Sequence, residues 1–148
     1  LAKELAKSLN FVYIDTGAMY RAVTWQIMNN NIDINDLEAV NKILAEVTII
    51  FQEEAAGIKK IFINGTEVTE LIRTQKVTRK VSYVSKIPKV REKMVQLQRQ
   101  QGKQGNVILE GRDIGTVVFP EADIKFFIKA SLEVRAQRRL QELKEKNI

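Results

Sequence analysis

The sequence predicts an α/β fold built on a parallel sheet, with a smaller antiparallel β/α insert. Short apolar runs alternate with helical segments, which is typical of βαβ units. The run at 107–109 is wholly apolar, as expected for a parallel strand covered on both faces. A β-rich block at 46–72 interrupts this alternation. We therefore predict a core at 1–45 and 105–148 and an insert with flanking helices at 46–104.

The first third of the chain carries the opening elements of the predicted core. Leucines recur at every fourth position from Leu1 to Leu9 and predict an amphipathic helix that has no capping residue in front of it. A buried strand at 11–14 and a helix at 18–29 follow. A further helix is expected from about residue 35 to residue 45.

The insert is predicted from β-branched runs and a turn. Residues 47–51 and 58–63 indicate two strands, and Asn64-Gly65 is a strong hairpin signal. Together these features predict a small antiparallel sheet between helices.

Helices and one more strand are predicted for the rest of the chain. Valines at helical spacing mark a helix at 77–84, and Pro88 opens another that ends near Gly102. A strand is expected at 124–128. Ser131 then caps a final helix.

Composition restricts the chemistry. The chain has no His and no Cys, which excludes Ser–His and Cys–His catalysis and most zinc sites. Carboxylates, hydroxyls and cations remain, a set that suits phosphoryl transfer. The net charge of +6 favours an anionic partner, either nucleic acid or nucleotide phosphates. No apolar run approaches a membrane span and no signal peptide is evident, so we expect a cytoplasmic protein.

A first candidate site follows the strand at 11–14. Ligands of open α/β sheets bind beyond the carboxyl ends of the strands. Thr16 is placed to cap the next helix, whose N-terminus favours an anion, and Arg21 lies about one turn further on. For this segment alone, an ordinary capped helix with a surface arginine is a slightly better explanation than an anion site.

A second candidate site follows the strand at 107–109. Two glycines bracket Arg112 and Asp113, and glycines permit close approach to a ligand. Arg112 suits a phosphate, and Asp113 can accept a hydrogen bond from an amino group such as cytosine N4. A local Arg112–Asp113 pair in a polar turn is the alternative. We favour a functional role, because charged groups at the mouth of a buried strand cost desolvation.

Five further polar residues are weaker candidates. Three arginines within five positions of the last helix either surround an anion or form a solvated face. The other two lie on the predicted helices of the insert. These candidates are Arg135, Arg138, Arg139, Ser82 and Arg91.

Four segments together resemble bacterial cytidylate kinases, which are P-loop nucleoside monophosphate kinases. They are YIDTGAMYRAVT at 13–24, IRTQKVTRKVSYVSKIPKVRE at 72–92, EGRDIGTVVFPEADIKFFI at 110–128 and ASLEVRAQRRLQEL at 130–143. The resemblance implies a three-layer P-loop NTPase core, incomplete in this chain, with a CMP-binding insert.

The resemblance also implies roles for individual residues. Ser82, Arg91 and Asp113 would recognise the cytosine ring. Asp15 would fix the geometry of the first turn, and Thr16 would lie beside the monophosphate. The phosphate and the transferred phosphoryl group would be held by arginines, with the last two of the following set nearest to ATP: Arg21, Arg112, Arg138 and Arg139.

The implied reaction is in-line transfer of a phosphoryl group from ATP, with Mg²⁺, to CMP or dCMP. The implied protein is a monomer that binds neither a nucleic acid polymer nor a membrane. Three alternatives remain open at this point. They are another P-loop kinase, such as an adenylate or shikimate kinase, a basic RNA- or DNA-binding module, and a fragment that binds CMP without catalysing a reaction.

The sequence departs from the family pattern at both ends. The motif G-x-x-x-x-G-K-[ST] that cradles ATP is missing, and Leu1 stands about where it would end. The lid and the last strand and helix are missing too, so we interpret the chain as a fragment of a longer enzyme.

We expect little or no kinase activity from these 148 residues. Without the glycine-rich loop, the chain has no cradle for the β- and γ-phosphates of ATP. A coupled assay of ADP formation from CMP and ATP measures this directly. Turnover at the rate of an ordinary kinase would contradict the expectation.

Overall fold

The computed structural model describes residues 1–53, 59–103 and 105–145. It is an α/β structure with six α-helices and five strands in the described ranges. In chain order these are α1 (Ala2–Leu9), β1 (Val12–Asp15), α2 (Thr16–Asn29), α3 (Leu37–Glu46), β2 (Ile49–Glu53), β3 (Lys59–Ile63), β4 (Thr66–Glu67), α4 (Gln75–Val84), α5 (Pro88–Gly102), β5 (Val107–Glu110) and α6 (Leu132–Glu145).

The strands form two separate sheets. β1 and β5 pair in parallel, with Val12 opposite Val107 and Asp15 opposite Glu110. β2, β3 and β4 form an antiparallel sheet in that order. The predicted combination of a parallel sheet with an antiparallel one is therefore confirmed, while the proposed division into a core and an insert stays a prediction.

The hairpin between β3 and β4 is confirmed at Asn64-Gly65. Both residues have a positive φ, 48° and 79°, as a two-residue primed turn requires. Ile63 pairs with Thr66 across the turn. The first strand of this sheet was expected at 47–51 but begins at Ile49, and part of the expected strand at 58–63 lies outside the described residues.

The main hydrophobic core is centred on α2. Met19, Ala22, Val23 and Ile27 are fully buried along one side of this helix. They belong to a cluster that also takes side chains from β1, from the antiparallel sheet and from α3, α4 and α5. The cluster therefore packs residues from both predicted regions around one helix.

The parallel strands are less buried than the sequence predicts. All three apolar residues of β5 are only half-buried, and Val12 of β1 is 48% exposed. The described sheet has two strands, so each is an edge strand. A two-stranded sheet cannot provide the cover on both sides that a wholly apolar strand suggests.

The prediction of a strand at 124–128 is wrong. This segment has no regular structure in the described chain, and Phe126 and Phe127 are 77% and 84% exposed. Its apolar residues favour a strand, but a strand forms only where a neighbouring edge supplies hydrogen-bond partners. In the described structure β1 and β5 pair with each other instead.

A π-helical turn at Ile114–Val118 was not predicted. The two glycines around Arg112 and Asp113 indicated only an open turn. The amide of Phe119 donates to the carbonyl of Ile114 at 2.7 Å, a bond that spans five residues. Single π-helical turns are rare and often lie at functional sites.

No helix in the described ranges is long and apolar enough to cross a bilayer.

Gln98 on α5 is a polar side chain buried in the protein interior. It is 1% exposed, and its Oε1 has no hydrogen-bond partner in the described structure. A buried acceptor without a donor costs about 1–3 kcal/mol. We expect Gln98→Met to raise the free energy of unfolding by about 1 kcal/mol, measured by urea denaturation.

Gln100→Met on the same helix is the matched control, because Gln100 is exposed. It should change the free energy of unfolding by no more than about 0.5 kcal/mol. A loss of stability in Gln98→Met would contradict the expectation.

Candidate functional site

Two strand ends meet at one edge of the parallel sheet. The register aligns Asp15, the last residue of β1, with Glu110, the last residue of β5. The Thr16 hydroxyl then donates to the carbonyl of Glu110 at 2.7 Å. A Cβ on Gly111 would lie 2.2 Å from that hydroxyl oxygen, so only glycine allows this approach. The two predicted turns are therefore fastened together.

Asp15, not Thr16, caps α2, which corrects the predicted cap. Asp15 keeps the extended backbone of β1, and its carboxylate accepts from the amide of Ala18 at 3.0 Å. Thr16 is already helical and buried, and its proton goes to the Glu110 carbonyl. The aspartate is the last residue of β1 and therefore takes the capping position that was predicted for Thr16.

Arg91 and Asp113 form an ion pair across the site. Nη2 of Arg91 lies 2.5 Å from Oδ2 of Asp113, and the two side chains are 44% and 28% exposed. This contact excludes a local Arg112–Asp113 pair as the explanation of the second turn. It brings together two of the three residues expected to recognise the base. Ion pairs this exposed contribute only about 0–1 kcal/mol to stability.

Tyr20 is a neighbour of this pair that the sequence analysis missed. Its hydroxyl is buried and has no hydrogen-bond partner in the described structure. Burial raises its pKa, Arg91 opposes that shift and Asp113 adds to it, so the hydroxyl lies within the field of both charges. Its position next to Arg21 in the sequence was the available signal.

Arg21 projects from α2 towards Ile72 and α4. Its Nη1 donates to the carbonyl of Ile72 at 3.2 Å and to Oγ1 of Thr78 at 2.9 Å. Burial lowers the pKa of Arg21, and the positive charge of Arg139 lowers it further, while Asp15 opposes the shift. A half-buried cation that feels a second cation is stabilised by a bound anion.

The remaining predicted arginines are more exposed. Arg112 makes no hydrogen bond or ion pair within the described ranges. Arg139 pairs with Glu142 at 2.8 Å. Arg135 and Arg138 are exposed on α6, a helix that has no buried residue. The expected Ser131 cap of α6 is confirmed, since its hydroxyl accepts from the amide of Val134 at 3.3 Å.

Ser82 is not brought to the other predicted site residues. It is exposed on α4, and no hydrogen bond in the described chain joins its hydroxyl to Arg91 or Asp113. Its predicted role therefore has no contact behind it in this structure, unlike the roles of Arg91 and Asp113.

Metal ligands are sparse. In the part of the chain that the structure describes, no three His, Cys, Asp or Glu residues cluster closely enough to hold a metal ion. The carboxylates at the two strand ends have other partners: Asp15 caps α2, and Asp113 pairs with Arg91. These donors do not form a metal site of this chain's own.

The arrangement offers two kinds of chemistry at one sheet edge. Asp113 and Arg91 present an acceptor and a donor side by side, which suits the polar edge of a base. Arg112 follows β5 directly, and Arg21 on α2 is near enough to feel the charge of Asp15 at the end of β1. Positive charge near both strand ends suits a phosphate. A small ligand that carries both groups, such as a nucleotide, matches this combination.

Tyr13 generates a pH prediction. Its hydroxyl donates to Oε2 of Glu110 at 2.8 Å. Burial, and then this bond, raise the pKa of Tyr13 above its ordinary value of about 10. The folded state thus holds the proton more tightly, so its contribution to stability is complete below about pH 10 and falls as the pH rises further.

We therefore expect the free energy of unfolding of the wild type to fall more steeply above about pH 10 than that of Tyr13→Phe. Urea denaturation at about pH 8 and about pH 11 measures the two slopes. Lysines and other tyrosines are common to both proteins and cancel in the comparison. Equal slopes would contradict the assignment.

Comparison with known proteins identifies a family. The family model for cytidylate kinase matches residues 1–148. A protein named cytidylate kinase from Enterococcus faecalis is 52% identical over the whole chain, and one from Pelotomaculum thermopropionicum is 46% identical over 97% of it. A bifunctional pantoate ligase/cytidylate kinase from Prochlorococcus marinus is 48% identical over 97% of the chain.

The match covers only part of these relatives. The chain spans 65% of the Enterococcus protein, 63% of the Pelotomaculum protein and 28% of the bifunctional one. The fold and these similarities agree with the resemblance seen in the sequence, and the chain belongs to the cytidylate kinase family.

Proposed function

We propose that this chain supplies the monophosphate-binding part of a kinase that phosphorylates CMP and dCMP with ATP. The observation that carries the proposal is the Arg91–Asp113 pair at the sheet edge where Asp15 meets Glu110. The family membership supports the same activity.

In base recognition, Arg91 and Asp113 would give up their bond to each other and bond to the cytosine ring. Asp113 would accept from the exocyclic amine of cytosine, and Arg91 would donate to the ring nitrogen or carbonyl oxygen. The pair is partly exposed and contributes little to stability, so releasing it to a ligand costs little. Ser82 would join them after a movement of α4, which is a further part of the proposal.

Phosphate binding would use the arginines of the two turns. A CMP phosphate oxygen would attack the γ-phosphorus of ATP, forming a new P–O bond as the bond to the ADP oxygen breaks. Arg21 and Arg112 would hold the acceptor phosphate and offset the charge of the transferred group. Thr16 would lie beside that phosphate, and Arg138 or Arg139 would approach ATP.

Mg²⁺ would arrive with ATP as part of that substrate, and it would shield the charge of the ATP phosphates. No residue of the described chain is assigned to it, because none forms a metal cluster. The chain's own residues would bind, orient and neutralise the acceptor nucleotide. We also propose that the protein is cytoplasmic and monomeric, with no polynucleotide or membrane as partner.

Asp113→Ala tests base recognition. We expect it to weaken CMP binding by about 10- to 100-fold, the loss typical of a hydrogen bond to a charged group. Binding of ribose 5-phosphate, which lacks the base, should change less than about threefold. Isothermal titration calorimetry measures both affinities for this chain.

Two further variants complete the test. Arg112→Gln should weaken CMP and ribose 5-phosphate by similar factors, since both carry the phosphate. Asp123→Asn, which changes an exposed carboxylate, is the matched control and should bind both ligands like the wild type. The proposal is wrong if Asp113→Ala binds CMP as well as the wild type does.

A further inference from the structure

Arg99 on α5 makes two hydrogen bonds to the π-helical turn that follows Asp113. Its Nε donates to the carbonyl of Val118 at 2.9 Å, and its Nη2 donates to the carbonyl of Val117 at 2.8 Å. Nothing in the sequence marked this residue, because its partners are backbone atoms. The guanidinium thus binds the last two carbonyls of the turn.

Each of these carbonyls belongs to a peptide group whose N–H also donates a hydrogen bond. The amide of Val118 shares a peptide with the Val117 carbonyl, and it donates to the carbonyl of Asp113 at 3.3 Å. The next peptide, from Val118 to Phe119, donates to the carbonyl of Ile114 at 2.7 Å. A continuous chain of hydrogen bonds therefore runs from the guanidinium to the backbone of Asp113.

Two more contacts fasten the same turn to α5. The ring of Phe119 lies directly over Gly102, where a Cβ would come within 2.2 Å of the ring carbon Cζ. Arg91, two helical turns before Arg99, binds the Asp113 carboxylate. The turn is thus held at its start by Arg91 and at its end by Arg99. The next residue, Phe119, packs on Gly102.

We propose that Arg99 is a positioning residue that fixes Asp113 for recognition of the pyrimidine base. This inference rests on the proposed function of the Arg91–Asp113 pair. Arg99 makes no hydrogen bond to the side chain of Arg91 or of Asp113 in the described structure. It acts through the peptide groups of the π-helical turn. By holding the backbone of Asp113, it sets the distance and direction from which the carboxylate meets a ligand or Arg91.

The geometry explains why the residue is arginine. Two consecutive carbonyls need two donors in a fixed fork, and the guanidinium provides Nε and Nη2 in one plane. The lysine ammonium is a single point of donation, so it can bind one carbonyl well or share itself between two. Arg99→Lys keeps the charge and loses the fork, which separates the two contributions.

The experiment measures CMP and ribose 5-phosphate binding to this chain by calorimetry for the wild type, Arg99→Gln and Arg99→Lys. We expect Arg99→Gln to weaken CMP binding by about tenfold, with Arg99→Lys in between, because one net hydrogen bond corresponds to roughly that factor. Ribose 5-phosphate binding should stay within about twofold. Lys103→Gln removes the same charge at the C-terminal end of α5 and should change neither affinity.

A double-mutant cycle with Asp113→Ala separates positioning from general stability. If Arg99 acts through Asp113, then Arg99→Gln has no further effect on CMP binding once Asp113 is alanine. Equal loss of both ligands, an unchanged CMP affinity, or a tenfold loss that persists in the Asp113→Ala background would each overturn the inference. So would a failure of both Arg99→Gln and Arg99→Lys to fold, since that would make the role purely structural.

The same data distinguish the two proposals. If the wild type fails to bind CMP, the proposed function is wrong and the positioning role falls with it. If the wild type binds CMP, Asp113→Ala abolishes its preference over ribose 5-phosphate, and Arg99→Gln behaves like the wild type, then only the positioning role is wrong.

Discussion

The parallel pairing of β1 with β5 is the constraint on which the candidate site depends. Its register ends both strands at the same level, with Asp15 opposite Glu110, so the two polar turns that follow emerge side by side. The Thr16 hydroxyl closes the gap by donating to the Glu110 carbonyl. The residues that carry charge lie almost a hundred positions apart in the chain, and only this register brings them to one edge. A shift of one residue would turn every side chain of one strand to the other face.

Two helices then decide which side chains reach that edge. α2 starts at the end of β1 and buries its apolar side in the core. Tyr20 on this helix lies within the field of Arg91 and Asp113, and Arg21 bonds to Ile72 and Thr78. α5 lies against the turn after β5 and holds Asp113 through Arg91. Because α2 and α5 both contribute to the main hydrophobic cluster of the described residues, the side chains of the candidate site are carried by helices whose movement would disrupt the core.

The sequence predicted most of the elements and less of their contacts. Periodic apolar residues marked α1 and α4, Pro88 marked the start of α5, and Asn64-Gly65 marked the hairpin, because these signals are local. The strand at 124–128 failed for the opposite reason, since a strand depends on a partner that its own residues do not specify.

The cap was assigned to Thr16 instead of Asp15 because the exact end of β1 decides which residue is free to cap. A shared role of Arg91 and Asp113 in base recognition was expected from resemblance to a family, but their ion pair was not. Tyr20 and Arg99 were missed because a buried hydroxyl without a partner and bonds to backbone carbonyls leave no sequence pattern.

Several groups of the candidate site contribute little to the stability of the protein and would gain more from a bound ligand. The Arg91–Asp113 pair is too exposed to stabilise the protein much, and Tyr20 buries a hydroxyl without a partner beside it. Arg21 is a half-buried cation whose pKa is lowered by burial and by Arg139. The Tyr20 hydroxyl and the Arg21 guanidinium each carry a cost that a bound polar group or anion would reduce, and the two residues are neighbours on α2. Since folded proteins rarely keep such costs together without a reason, Tyr20 and Arg21 support the proposal that the site binds a charged, hydrogen-bonding small molecule.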